Sequence, residues 1–138
     1  MNQRRKGIAV VIKGEGDKIL LMQRGPNART ESGYWENPGG EIEANEESKD
    51  AAKREMKEEL GVEINIIKLL YSQEFEPDAK GVIWSIEIFE GDVASGTPSI
   101  QEPDKCSAIA WFSKEELNSI PLTTYTRSDF VRFGWVKE

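Results

Sequence analysis

The chain has 138 residues, with 38% hydrophobic and 31% charged side chains, the make-up of one folded domain rather than of a disordered segment. A formal net charge of -7 argues against a protein that grips long DNA or RNA through clustered Lys and Arg. A single cysteine, Cys106, and the lack of any histidine exclude an internal disulfide, histidine-based catalysis and the usual zinc sites. Any chemistry must rest on carboxylates, Lys, Arg, Tyr or metal ions.

Met1–Lys6 is basic, and the apolar run Ile8–Ile12 after it is too short for a signal-peptide core. No segment is long enough to cross a membrane, so the expected location is cytoplasmic. Gly7–Lys13 reads as a buried strand and Lys18–Arg24 as the second arm of a hairpin. Gly25–Gly33 is a polar loop, Tyr34–Glu36 a short extended piece, and Pro38-Gly39-Gly40 a turn. A helix is predicted over Glu46–Leu60, with Asn45 as its N-cap and Gly61 as its stop. Strands follow over Val62–Glu74 and Gly81–Glu90, with a loop over Gly91–Lys105 and a strand over Ala108–Phe112. Ser113–Glu116 is a capping box, and Leu122–Phe133 a last helix ended by Gly134. With no repeat, linker or low-complexity segment, the fold class is α/β (α+β): a mixed sheet with helices on its faces, in one domain spanning residues 1–138.

On the central helix Glu55, Glu58 and Glu59 stand at i, i+3 and i+4, which places the three carboxylates on one face. Ala52, Met56 and Leu60 form a neighbouring apolar stripe. Like charges at these spacings cost a helix a few tenths of a kcal/mol per pair. Arg54, at i−4 to Glu58, offsets part of this. Clustered oxygen ligands on a rigid element suit Mg²⁺ or Mn²⁺, although a solvated acidic face would read the same way. The glycines ahead of the helix would let backbone approach a ligand or metal.

Gly40, Glu46, Arg54, Glu55, Met56, Glu58, Glu59, Gly61 and Val62 together fill every defined position of G-x5-E-x7-R-E-U-x-E-E-x-G-U, where U is apolar. On this pattern the chain resembles the Nudix (MutT-type) hydrolases. Leu20–Arg24 and Tyr34–Gly40 are similar to the segments that precede the box in that family, except that Asn37 stands where an apolar residue is common. Glu102–Lys105 through Trp111-Phe112 resembles the stretch before the last helices in members acting on nucleoside triphosphates. The resemblance implies an α/β/α sandwich and Mg²⁺-dependent cleavage of a phosphoanhydride. It implies metal binding by Glu55, Glu58, Glu59 and the Gly39 carbonyl, with Arg54 holding the carboxylates in place and Glu46 at the helix start or in the metal shell.

The general base would be Glu58, Glu59 or, on a later loop, Glu102. Arg24 could reach a phosphate, and Trp35, Tyr34 or Trp84 could meet the base, although core packing would explain each aromatic as well. The expected partner is a small-molecule nucleotide, with a homodimer compatible with the resemblance. A nucleoside triphosphate, including oxidised purine forms, is the leading substrate. ADP-ribose or another nucleotide sugar is the alternative, on the position of Pro77. A third reading, a nucleotide-binding module without catalysis, would usually lack one of the metal-binding glutamates, and here all are present.

Overall fold

The computed structural model describes residues 3–138. Its strands are β1 (Gln3–Lys13), β2 (Ile19–Arg24), β3 (Trp35–Glu36), β4 (Gly39–Glu41), β5 (Glu63–Glu74), β6 (Val82–Ser95) and β7 (Cys106–Phe112), and its helices are α1 (Ser48–Leu60) and α2 (Thr124–Arg132). All seven strands join one sheet, ordered β3-β2-β1-β6-β5, with β4 also on β1 and β7 also on β2. The β1–β6 pair is parallel and the other strand pairs are antiparallel, so the sheet is mixed.

Strand β1 explains the layering. Side chains alternate across a strand, and Ile8, Val10 and Ile12 enter one core with Ala52, Met56 and Leu60 of α1. Val11 points the other way, into a second core with Phe130 of α2, Leu117 and Leu122. An apolar run buried on both faces is what a central strand with parallel pairing requires. The result is the expected α/β/α sandwich.

Several elements differ from the sequence expectation. The expected hairpin is short: β1 meets β2 only at Ile12 with Leu20 and Lys13 with Ile19. Beyond that β2 pairs with β3 and β7, while β4 takes the vacated edge of β1. Gly39 and Gly40, read as a turn, are ladder residues of β4, opposite Ala9 and Ile8. A Cβ at Gly39 would collide with the Ile8 carbonyl, so the close approach of two backbones selects glycine.

Helix α1 starts at Ser48 with Glu47 as its cap, not at Glu46 with Asn45. Asn45 instead takes a left-handed turn, φ +64°. Glu46 lies in a turn closed with Glu43 ahead of the helix, and its carboxylate takes two bonds from Arg54, of 2.9 and 3.0 Å. Gly61 ends the helix at φ +71°, as expected. Strand β6 runs on through Gly91 to Ser95, where a loop was predicted. The capping box forms reciprocally between Ser113 and Glu116, and opens a short 3-10 turn over Glu115–Ser119.

Candidate active site

A cleft of about 500 Å³ opens where β2 parts from β1, walled by the end of β2, the start of β4, helix α1 and the 102–106 segment. Arg24, Gly39, Glu59 and Glu102 line it, so four of the residues predicted for the site meet there from three elements and a loop. Lys105 adds a second cation.

Glu59 lies on the inner side of α1, and its Oε1 accepts the Gly39 N–H at 3.0 Å. Burial, then the neighbouring charge of Glu55, pushes its carboxyl up to about 9. Glu55 is also raised, chiefly by burial, with Arg54 opposing. Glu102 is close enough for its charge to raise both. A Cβ at Gly40 would lie 2.5 Å from Glu55 Oε1. The second glycine therefore leaves the space that the Glu55 carboxylate fills.

Arg54 is the hub of the acidic shoulder. It donates to Glu46, to Glu55 Oε1 at 2.9 Å, to the Glu41 carbonyl at 3.0 Å, and to Glu58 at 3.4 Å. These bonds hold the Glu46 carboxyl below its ordinary range. Glu58 is the most open of the three helix carboxylates and does not line the cleft.

Among the described residues no three carboxylates converge tightly enough to enclose an ion by themselves. That arrangement still fits Mg²⁺, which keeps several waters and takes one or two carboxylates. Glu55 and Glu59 are hard oxygen donors beside the glycine pair, Glu55 seated in the space left by the absent Cβ of Gly40 and Glu59 bonded to the Gly39 N–H.

Trp35 goes elsewhere. Its ring packs edge-on against Phe112 at 4.9 Å in the second core, and it lines neither cavity of the site. The alternation of β3 turns its neighbour Glu36 toward the cleft instead. Burial raises the Glu36 carboxyl, while Arg24 at 3.5 Å lowers it. Sequence reasoning gave Glu36 no role; the period-2 pattern around Trp35 was the available signal. Tyr34 is exposed. Pro77 sits in the turn between β5 and β6, where Asp78 accepts the Lys80 and Val82 N–H groups.

A second cavity, about 320 Å³, adjoins the first and shares Arg24, Glu36 and Gly39 with it. Phe75, Trp84 and Tyr125 make it aromatic, and Asn37 and Asp129 supply polar groups. The rings of Phe75 and Tyr125 lie 4.3 Å apart. Asp129 accepts from the Tyr71 hydroxyl, and burial pushes its carboxyl up to about 6. Of these residues Trp84 was singled out from the sequence as an aromatic that could meet the base, and Asn37 only as a polar residue where an apolar one is common.

The NUDIX domain family matches residues 3–132 of this chain. A CTP pyrophosphohydrolase of Escherichia coli is 31% identical over 118 residues, covering 83% of this chain and 80% of that protein. An oxidized purine nucleoside triphosphate hydrolase of mouse is 28% identical over 110 residues, covering 80% of this chain and 66% of that protein. The crystal structure of a MutT NUDIX hydrolase from Burkholderia pseudomallei superposes with a TM-score of 0.82 at 34% identity, covering 92% of this chain and 95% of that one. The chain belongs to the Nudix family. It is a hydrolase acting on acid anhydrides in nucleoside diphosphate-linked substrates, a reaction for which the family generally uses a divalent metal. Among the described residues no helix is long and apolar enough to cross a membrane.

Proposed function

We propose that this chain is a Mg²⁺-dependent nucleoside triphosphate pyrophosphohydrolase that releases a nucleoside monophosphate and pyrophosphate, with Mn²⁺ able to replace Mg²⁺. The observation that carries this reading is the pair of adjoining cavities, one polar and one aromatic, joined at Arg24, Glu36 and Gly39. A triphosphate fits the polar cleft and a nucleobase the aromatic one. The names of the Escherichia coli and mouse relatives point the same way.

Glu55, Glu58, Glu59 and the Gly39 carbonyl would hold the metal. When bound, Mg²⁺ would neutralise the polyphosphate and polarise the attacked phosphoryl group. The chain's own residues do the rest. Arg54 fixes Glu55 and Glu46 and keeps the acidic shoulder from splaying apart. Arg24 reaches the phosphates from the end of β2. Glu102, on the cleft wall, takes the proton of the attacking water as its oxygen bonds to the α-phosphorus. The bond from that phosphorus to the bridging oxygen breaks in line, and pyrophosphate leaves. Trp35, packed on Phe112, contributes to the core rather than to substrate contact.

The test is turnover of canonical and oxidised nucleoside triphosphates, with ADP-ribose alongside, products being resolved by anion exchange. Nucleoside monophosphate plus pyrophosphate supports the proposal. AMP plus ribose phosphate from ADP-ribose alone would replace it with nucleotide-sugar hydrolysis, and silence of folded, Mg²⁺-loaded protein would favour a binding module. Glu102→Gln should lower kcat by about a hundredfold or more if Glu102 is the base.

A further inference from the structure

Asn37 is the residue in the aromatic cavity that folding does not explain. It is 7% exposed, and both polar atoms of its side chain, Nδ2 and Oδ1, are buried with no hydrogen-bond partner. Its backbone is well held, since the Asn37 N–H donates to Thr126 Oγ1 at 3.0 Å. The backbone is therefore anchored while the side-chain amide stays unpaired. Buried polar groups are paired in the great majority of proteins, and an exception calls for a reason. The next residue, Pro38, fixes the chain direction into β4. An apolar residue of the same size would fill this position at no cost in hydrogen bonds.

The surroundings supply the reason. Asn37 lines the cavity whose other walls are Phe75, Trp84 and Tyr125, flat surfaces on which a heterocycle stacks. A carboxamide offers a donor and an acceptor side by side, the geometry that pairs with the edge of a base in two bonds. Asp129 of α2, which also lines this cavity, adds a carboxylate acceptor beyond the oxygen that takes the Tyr71 hydroxyl. With the carboxylates of Glu36 and Asp129 on the lining beside the amide, an edge led by an amino group is matched better than one led by a carbonyl.

We propose that Asn37 is a specificity-determining residue, whose amide reads the edge of a nucleobase that carries an exocyclic amino group beside a ring-nitrogen acceptor, as in cytosine or adenine. The proposal rests on the reading of the site as a nucleoside triphosphate hydrolase and goes beyond it by naming the base chemistry. Oδ1 accepts from the amino group and Nδ2 donates to the ring nitrogen. Uracil and hypoxanthine, with a carbonyl and an N–H in those places, meet Asp129 with the wrong polarity. A site built to hydrogen-bond one partner discriminates because its groups are left unpaired by the other.

The experiment compares kcat/KM for CTP against UTP and for ATP against ITP, in the parent, Asn37→Leu and Asn37→Ala. The parent should prefer the amino-bearing member in at least one pair by about tenfold or more. Both variants should bring that ratio to within about threefold, mainly through KM. A parent without preference in either pair, or variants that keep the parent's ratio, would overturn the proposal. A second readout needs no turnover: the Asn37 side-chain NH₂ resonance should shift on titration with CMP or AMP and move far less with UMP or IMP. If no triphosphate is cleaved, the proposed reaction fails while this titration still decides Asn37, an unmoved amide with all four nucleotides counting against it.

Discussion

Replacing Glu59 with Gln should raise stability and abolish turnover, and the size of the gain can be worked from the site. Burial and the charge of Glu55 push the Glu59 carboxyl up to about 9, from an ordinary 4.5. Between those two values the folded chain holds a proton that the unfolded chain has released. Stability contributed by this group is therefore complete below about pH 4.5 and is lost progressively as pH rises toward 9. At about 1.4 kcal/mol per unit, the loss by pH 7 would approach ~3 kcal/mol for a fully enclosed group. Glu59 opens onto the cleft, so solvent screening reduces the figure to about 1.5 kcal/mol. Gln keeps the shape, accepts the Gly39 N–H through its carbonyl, and has no charge to bury. In the absence of metal, Glu59→Gln should exceed the parent by about 1.5 kcal/mol at pH 7 in urea unfolding, with the gap vanishing near pH 4.5 and widening above pH 7. Its kcat should fall by about a hundredfold or more, and Mg²⁺ should raise the Tm of the parent more than that of the variant. A variant less stable than the parent across this range, or a gap that does not change with pH, would refute the account of Glu59 as a strained carboxylate.

Arg54→Ala should cost about 2 kcal/mol, because the half-buried carboxylates of Glu46 and Glu55 lose bonds of 2.9 Å each, and the midpoint of urea unfolding would measure it. Arg54→Lys should recover less than half, since a lysine cannot fork between two carboxylates. Gly40→Ala should reduce kcat by at least about tenfold with a change in Tm of only a few degrees, as its Cβ would lie 2.5 Å from Glu55 Oε1 and displace that carboxylate. Met56→Ala should cost about 2–4 kcal/mol in the same unfolding assay, because Met56 is fully buried between α1 and the sheet.

What could be read from the sequence was what a short span encodes. The apolar stripe of Ala52, Met56 and Leu60, the left-handed stop at Gly61 and the two-sided burial of β1 follow from local spacing, and each stands in the structure. The Nudix box is likewise confined to one segment, Gly40–Val62. The misreadings concern partners distant in the chain. Two glycines have poor strand propensity, and only the open edge of β1 draws Gly39 and Gly40 into a ladder. Glu46 suits a helix start, but it stands in a turn with Glu43 and meets Arg54, eight residues on. Trp35 and Glu36 are adjacent residues of opposite fate, decided by which face of β3 meets Phe112. Asn37 stood out in the sequence as polar at a position usually apolar, but the cavity that gives its amide a purpose is assembled from β5, β6 and α2.

Two features that run against good folding lie in one short stretch of space. Glu59 is a buried carboxylate with burial as its largest perturbation, and Asn37 is a buried amide with no partner. One is an electrostatic cost and the other a hydrogen-bonding cost, so neither implies the other. Yet Glu59 is bonded to Gly39, and Asn37 precedes Gly39 by two residues, with the rigid Pro38 between them. Each faces a different cavity, and the two cavities join at Gly39. Sequences that otherwise agree with their fold break its rules mainly where a ligand will make up the deficit. Here a cation would satisfy the carboxylate and a base edge the amide. The 37–40 segment would then hold both ends of one substrate, so loosening it should weaken phosphate and base recognition together rather than either alone.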